Sequence, residues 1–307
     1  MSARWPVIGA VALVAAAAVP LLLRDAFLYH LGILICIQAI LGISLHLMLR
    51  IRQLSLAQAG FMGIGAYTSA LLSRDLGFAF PLALLAAIIV PAAIAGLVGS
   101  IILRIKGVYF VLLTFALGES IRLVFVEWIV PFGGNNGLTS IPGIAVFGLA
   151  LKARSAIYVV TLLALGASLM AAYLLLSRDQ GRVLSGIAHN EMLLQSLGTD
   201  VTAYRRMTFA VSAAIAGLAG SLYAHYLGYI SPPAFNVTAS VGALVFNVVG
   251  GAGFLLGPVA GALLLVPLPE LFRDAAIYQS LFYGLALLLL MLFLPRGLIG
   301  VLVGRKP

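Results

Sequence analysis

The run FLYHLGILICIQAILGISLHLML, Phe27 to Leu49, decides the fold: it is 23 residues long and contains no Asp, Glu, Lys or Arg. A helix rises about 1.5 Å per residue, so this segment reaches about 35 Å, enough to cross the roughly 30 Å hydrocarbon core of a bilayer. Arg24 and Asp25 precede it, and Arg50 and Arg52 follow it. Similar apolar runs lie on both sides. Val7–Leu23 comes before; Leu56–Leu72, Phe78–Leu103, Val108–Val126, Ala156–Leu176 and Met207–Gly228 come after. Beyond Pro232 and Pro233 stand Val237–Val249, Leu255–Phe272 and Tyr278–Leu294, with GGAGFLLGP (Gly250–Pro258) between the first two. About ten spans are therefore expected. The eighth and ninth have an alternative reading as one broken helix or a re-entrant pair, since irregular backbone at membrane depth survives only where protein or water covers it.

Composition agrees with the spans. Of 307 residues, 63% are hydrophobic and 9% charged, against roughly 25% charged in an ordinary soluble domain. Mean hydropathy is +1.16. So few charges cannot cover the surface of a soluble protein of this size, which excludes a soluble enzyme, a disordered scaffold and a nucleic-acid binder. The fold class is all-α: a polytopic transmembrane helix bundle, read as a single membrane domain over residues 1–307. The net charge of +9 lies at the ends of the apolar runs. With ten alternating spans and a cytoplasmic N-terminus, 12 basic residues fall inside and five outside, a bias that places both termini in the cytoplasm. The first run follows Arg4 and reads as an uncleaved helix rather than a signal peptide. Cys36, the single cysteine, allows no internal disulfide.

Catalytic and nucleotide-binding patterns are missing from the sequence. The nearest two of the four histidines are 16 residues apart, so no H-E-x-x-H helix exists, and no G-x-S-x-G elbow occurs. None of the three lysines follows a glycine, which removes the phosphate-loop signature. The chain reads as a non-enzyme with no cofactor of its own, and any ATP that drives it is hydrolysed elsewhere.

The helices carry small residues at four-residue spacing: Ala213, Gly217 and Ser221; Ala216, Gly220 and Ala224; Gly257 and Gly261; Ala59 and Gly63. Such stripes let helix backbones approach closely in lipid. Glu119 and Arg122 lie three apart on one face of the fifth run, where a charge costs roughly 2.5–3.5 kcal/mol on insertion scales and needs a partner or a wet cavity. A gate, a pathway lining and a structural ion pair all fit. Gln38, Gln58 and Asn247 read as hydrogen bonds between helices. Two loops exceed the rest: Glu127–Ser155 outside, containing GGNNGLTSIPG, and Ser177–Arg206 inside. Within the inside loop, Val183, Ile187, Leu194 and Leu197 fall on one face of an amphipathic helix over 182–198, with Gly198 as its stop. That helix suits either the headgroup layer or a groove on a partner protein.

The wording of several segments is similar to LivM-type permeases, membrane subunits of branched-chain amino acid ABC importers. LSLAQAGFMGIGAYTSALL (Leu54–Leu72) resembles their signature, with Ala57 in place of an expected glycine. GVYFVLLTFALGESIRLV (Gly107–Val124), GGNNGLTSIPG, the stretch from His189 to Phe235, VVGGAGFLLGPVAGALLL (Val248–Leu265) and FLPRGLIG (Phe293–Gly300) follow in the family's order. The inside loop is only a loose version of the E-A-A-x-x-x-G pattern of importer permeases. The resemblance implies a LivH-like second permease, two cytoplasmic ABC ATPases that bind ATP and Mg, a periplasmic solute-binding protein, and a place in the bacterial inner membrane. It implies ATPase coupling through Arg182, His189, Asn190, Glu191 and Gly198. Gln58, Phe61, Tyr67, Glu119 and Arg122 are the pathway candidates. Urea or short amides remain an alternative cargo, and an ion-coupled secondary carrier an alternative class.

Overall fold

The computed structural model describes residues 20, 25–146, 149–151, 153–177, 179–271, 284, 287–288, 292 and 297–302. Four long helices open the described chain: α1 (Ala26–Arg50), α2 (Gln58–Arg74), α3 (Phe80–Ile102) and α4 (Val108–Glu127). Asp25 caps α1 by accepting from the Phe27 amide at 2.9 Å. After α4 come two short turns and a two-residue hairpin, β1 (Ala145–Val146) against β2 (Leu149–Ala150). α5 (Arg154–Ser177) leads into α6 (Asp179–His189) and α7 (Glu191–Ser196), and then into the longest helix, α8 (Val201–Leu227). A 3₁₀ turn at Pro232–Phe235 precedes α9 (Val237–Gly250) and α10 (Gly257–Leu265).

Among the described residues, five helices (α1, α3, α4, α5 and α8) are long and apolar enough to cross a membrane. α1 and α8 are buried around most of their circumference, whereas α3, α4 and α5 each bury one narrow stripe. The small-residue spacing explains the centre. A methyl group added at Gly65 of α2 would lie 2.4 Å from the Gly217 backbone of α8. One added at Gly217 would lie 2.1 Å from the Ala87 carbonyl of α3, and one at Gly220 would lie 1.9 Å from that of Met62. α8 is thus wedged between α2 and α3 at backbone contact distance.

Polar side chains stitch α1 to its neighbours. Ser44 Oγ donates to Gln58 Oε1 at 2.6 Å, Gln58 Nε2 to Ser212 Oγ at 3.1 Å, and Ser212 Oγ to the Ser44 carbonyl at 2.7 Å. Asn247 Nδ2 donates to the Gly42 carbonyl at 2.8 Å, and His46 Nδ1 to Asn247 Oδ1 at 3.1 Å. Gln58 and Asn247 therefore bridge helices, as expected of buried amides that lipid cannot satisfy.

The expected spans are matched unevenly. Val7–Leu23, and Tyr278–Leu294 apart from isolated positions, lie outside the described residues. The eighth run forms the 14 residues of α9, about 21 Å; the ninth begins with the nine of α10, about 14 Å, and resumes in a further helical turn at Leu268–Leu271, the last described residues of that run. Among the described residues, neither α9 nor α10 alone reaches across 30 Å. The break between the two pieces of the ninth run falls at Val266–Pro267, because proline has no amide hydrogen to continue the helix. α9 and α10 pack as an antiparallel hairpin: a methyl at Gly261 would meet the Phe246 carbonyl at 2.0 Å, and one at Gly250 the Gly257 carbonyl at 1.7 Å. Arg50 Nη1 donates to the Gly253 carbonyl at 3.4 Å, so the hairpin tip lies at the end of the bundle that carries Arg50.

Candidate functional site

Most of the described basic residues gather at one end, with Arg74 and Arg154 at the other. Arg50 and Arg52 close α1, Arg104 and Lys106 join α3 to α4, and Arg205 and Arg206 open α8. From this end project α6 and α7. The single amphipathic helix expected over 182–198 is in fact two helices. Asn190 breaks it, with extended backbone (φ −153°, ψ 95°) and a side chain that accepts from the Leu193 amide at 3.1 Å. A short polar side chain that caps the next helix competes with continuation of the first. The break also splits the apolar face: Leu184 and Ile187 of α6 are buried, while Met192 (81% exposed) and Leu197 (72%) stand out from α7 into solvent. Gly198 ends the segment at φ +80°, where its amide donates to Gln195 and that of Thr199 to Leu194.

Glu191, the first residue of α7, joins three elements. Arg205 grips its carboxylate with both terminal nitrogens at 3.0 and 2.9 Å, and Lys106 Nζ lies 2.5 Å from Oε2. The Arg205 and Glu191 side chains are 9% and 15% exposed, so this pairing is largely shielded from water. Desolvation alone would raise the Glu191 carboxyl. The hydrogen bond from Lys106 and the charges of Arg205 and Lys106 outweigh it and hold the group below its ordinary 4.5. Arg182 pairs with Asp179 at 3.0 Å on the exposed side of α6, and His189 Nδ1 donates to the Ser185 carbonyl at 2.8 Å. Of the five coupling candidates, Asn190, Glu191 and Gly198 build α7, and Arg182 and His189 belong to α6. The roles of Lys106 and Arg205 were not legible in the sequence, where they look like any other flanking basic residues.

The pathway candidates divide between two helices. Gln58, Phe61 and Tyr67 are buried on α2. Phe61 meets Phe209 edge-on at 5.3 Å, and Tyr67 stacks on Phe125 at 4.2 Å with Phe132 and Phe235 edge-on to it. α4 packs over this wall through Phe110, Thr114, Gly118 and Phe125, with Thr114 Oγ1 accepting from the Leu56 amide at 3.1 Å. Glu119 and Arg122 lie off that buried stripe. Arg122 Nε donates to Glu119 Oε2 at 2.7 Å, and each side chain is 26% exposed beside exposed Leu112, Phe115 and Leu123.

At the opposite end, GGNNG folds over the C-terminus of α8. Leu138 and Ile230 exchange backbone hydrogen bonds at 2.8 and 3.0 Å. Gly137 is obligatory there: its φ is +69°, and a methyl would sit 2.0 Å from the Ile230 carbonyl. His225 Nδ1 donates to the Pro142 carbonyl at 2.7 Å and Tyr229 Oη to the Asn136 carbonyl at 3.1 Å, so the outer loop is fastened to α8 at several points.

Residues 27–294 match the family model described as the branched-chain amino acid transport system permease component. The high-affinity branched-chain amino acid transport system permease proteins LivM of Salmonella typhimurium and Escherichia coli are each 33% identical over 287 residues, 86% of this chain and 68% of theirs. LivH of Escherichia coli is 29% identical over 150 residues, 48% of this chain and 47% of its own. No solved structure matches the chain. A match over nearly all of the apolar sequence, together with a membrane-type bundle whose basic end bears a projecting helix pair, makes this chain a member of the branched-chain amino acid transport system permease family.

Proposed function

We propose that this chain forms one half of the translocation pathway of an ATP-driven importer for branched-chain amino acids. A LivH-like second permease supplies the other half, and a periplasmic binding protein delivers the solute. Two cytoplasmic ATPases close on ATP and drive the spans between two packings. The basic end faces the cytoplasm of a bacterial inner membrane, and about ten spans carry both termini to that side, with α9 as the eighth and α10 as the start of the ninth, joined by a tip at the cytoplasmic end. α7 is the ATPase contact. Its exposed Met192 and Leu197 offer an apolar knob for a groove on the ATPase, and Glu191 passes the push to α8 and to the α3–α4 turn. On the outward side, Glu119 and Arg122 line the pathway, with Gln58, Phe61 and Tyr67 as the packed wall behind them.

The observation that carries this reading is the family match over residues 27–294. The test is purification of the tagged chain from its own host in mild detergent after cross-linking, with ATPase assay and uptake of labelled leucine and urea. Recovery of a second permease and two ATPases, with leucine uptake, is the expected result. A chain that purifies alone and without ATPase activity overturns it. Met192→Ser with Leu197→Ser is expected to release the ATPases while leaving the chain in the membrane.

A further inference from the structure

The Glu119–Arg122 pair is incompletely used. The one contact between them runs from Nε to Oε2. Among the described residues, Nη1 and Nη2 of Arg122 and Oε1 of Glu119 make no other hydrogen bond. Both side chains reach the open side of α4, about 12 and 8 Å from its outer end at eight and five residues before Glu127. Exposed apolar side chains surround them. Charged groups at this depth are not left against lipid. This flank therefore belongs to a polar path or to a contact with protein.

We propose that Glu119 and Arg122 form a binding station for the charged head of a zwitterionic amino acid. This rests on the importer reading above and identifies the chemical feature of the cargo that this chain itself recognises. The unused Nη1 and Nη2 present a two-pronged donor that fits a carboxylate, and the free Oε1 accepts from an ammonium. An α-amino acid carries its two charges about as far apart as those of the pair, so it closes a ring of four alternating charges with Glu119 and Arg122. That ring keeps the solute's charges compensated as water is stripped from them. The apolar side chain of the solute then lies along Phe115 or Leu112, without a dedicated pocket.

The test uses the complete importer in proteoliposomes with labelled leucine, comparing wild type with Glu119→Gln, Arg122→Gln and the double variant. The double variant separates the readings because it removes the pair without leaving an orphan charge. The expected result is a loss of leucine uptake of at least tenfold in all three, with normal insertion and an intact complex. Leucine uptake near wild type in the double variant overturns the proposal and leaves a structural ion pair. Loss of the second permease from the purified double-variant complex overturns it too, and makes the pair an interface contact. Failure of the importer reading shows separately, in the wild-type arm, as uptake of urea without leucine or of neither.

Discussion

At the scale of single residues, Glu191 shows how a sequence position acquires a role. Glu191→Gln keeps the shape of the side chain but leaves Arg205, 9% exposed, without its counter-charge. Leaving such a shielded charge unpaired costs about 1–3 kcal/mol. The expected outcome is a less thermostable protein in which ATP hydrolysis persists and leucine uptake falls, measured as the ratio of transport to hydrolysis. The pH dependence follows from the sign of the shift. The carboxyl is held below 4.5 in the folded protein, so its contribution is complete above that value and disappears as pH falls through the lowered one. The difference in melting temperature between wild type and Glu191→Gln is expected to be flat above pH 4.5 and to shrink below it. A difference that instead grows on acidification removes the assignment of Glu191 as an ion-paired strut. Gly198 holds φ +80°, so Gly198→Val is expected to disorder the end of α7 and lower uptake without affecting insertion.

At the scale of elements, the α2–α8–α3 wedge depends on missing side chains more than on present ones. Gly217→Leu and Gly220→Leu each force a side chain into backbone, where a methyl alone would lie about 2 Å from a carbonyl. Overpacking of this kind usually costs 1–3 kcal/mol and sometimes more. Both variants are expected to lower the unfolding temperature in detergent by more than Gly166→Leu, whose added group meets open space on α5. Comparable stability of all three would mean that α8 does not pack at backbone distance. The hairpin of α9 and α10 obeys the same rule through Gly250 and Gly261.

For the whole molecule, the division of charge between the two ends sets the orientation. Cysteines placed at Gly253 and Met192 are expected to react with a membrane-impermeant maleimide only from the cytoplasmic side, and one at Thr139 only from the opposite side. All three positions are exposed, and native Cys36 is buried, so its background is low. Labelling of Gly253 and Thr139 from the same side would overturn the orientation proposed for the hairpin tip.

The sequence by itself determined the membrane class, because a 23-residue uncharged run leaves a helix no other place to go, and it determined the family, because the matching segments stand in order along the chain. It also marked the close-packed helices, since glycine at four-residue spacing acts through local geometry. Gln58 and Asn247 were legible as bridges between helices for a similar reason: a buried amide in an apolar run needs a partner. Only the tertiary structure decided which partners those were. Lys106 and Arg205 are 85 and 14 residues from Glu191, and no local pattern distinguishes them from other basic residues at helix ends. The structure also decided that the inside loop is two helices, because the capping side chain of Asn190 prevails over an apolar periodicity that runs straight through it. The close α9–α10 hairpin and the break at Val266–Pro267 became visible the same way: hydropathy records how apolar a segment is, whereas the proline and the glycine contacts decide where a helix is interrupted and how it packs.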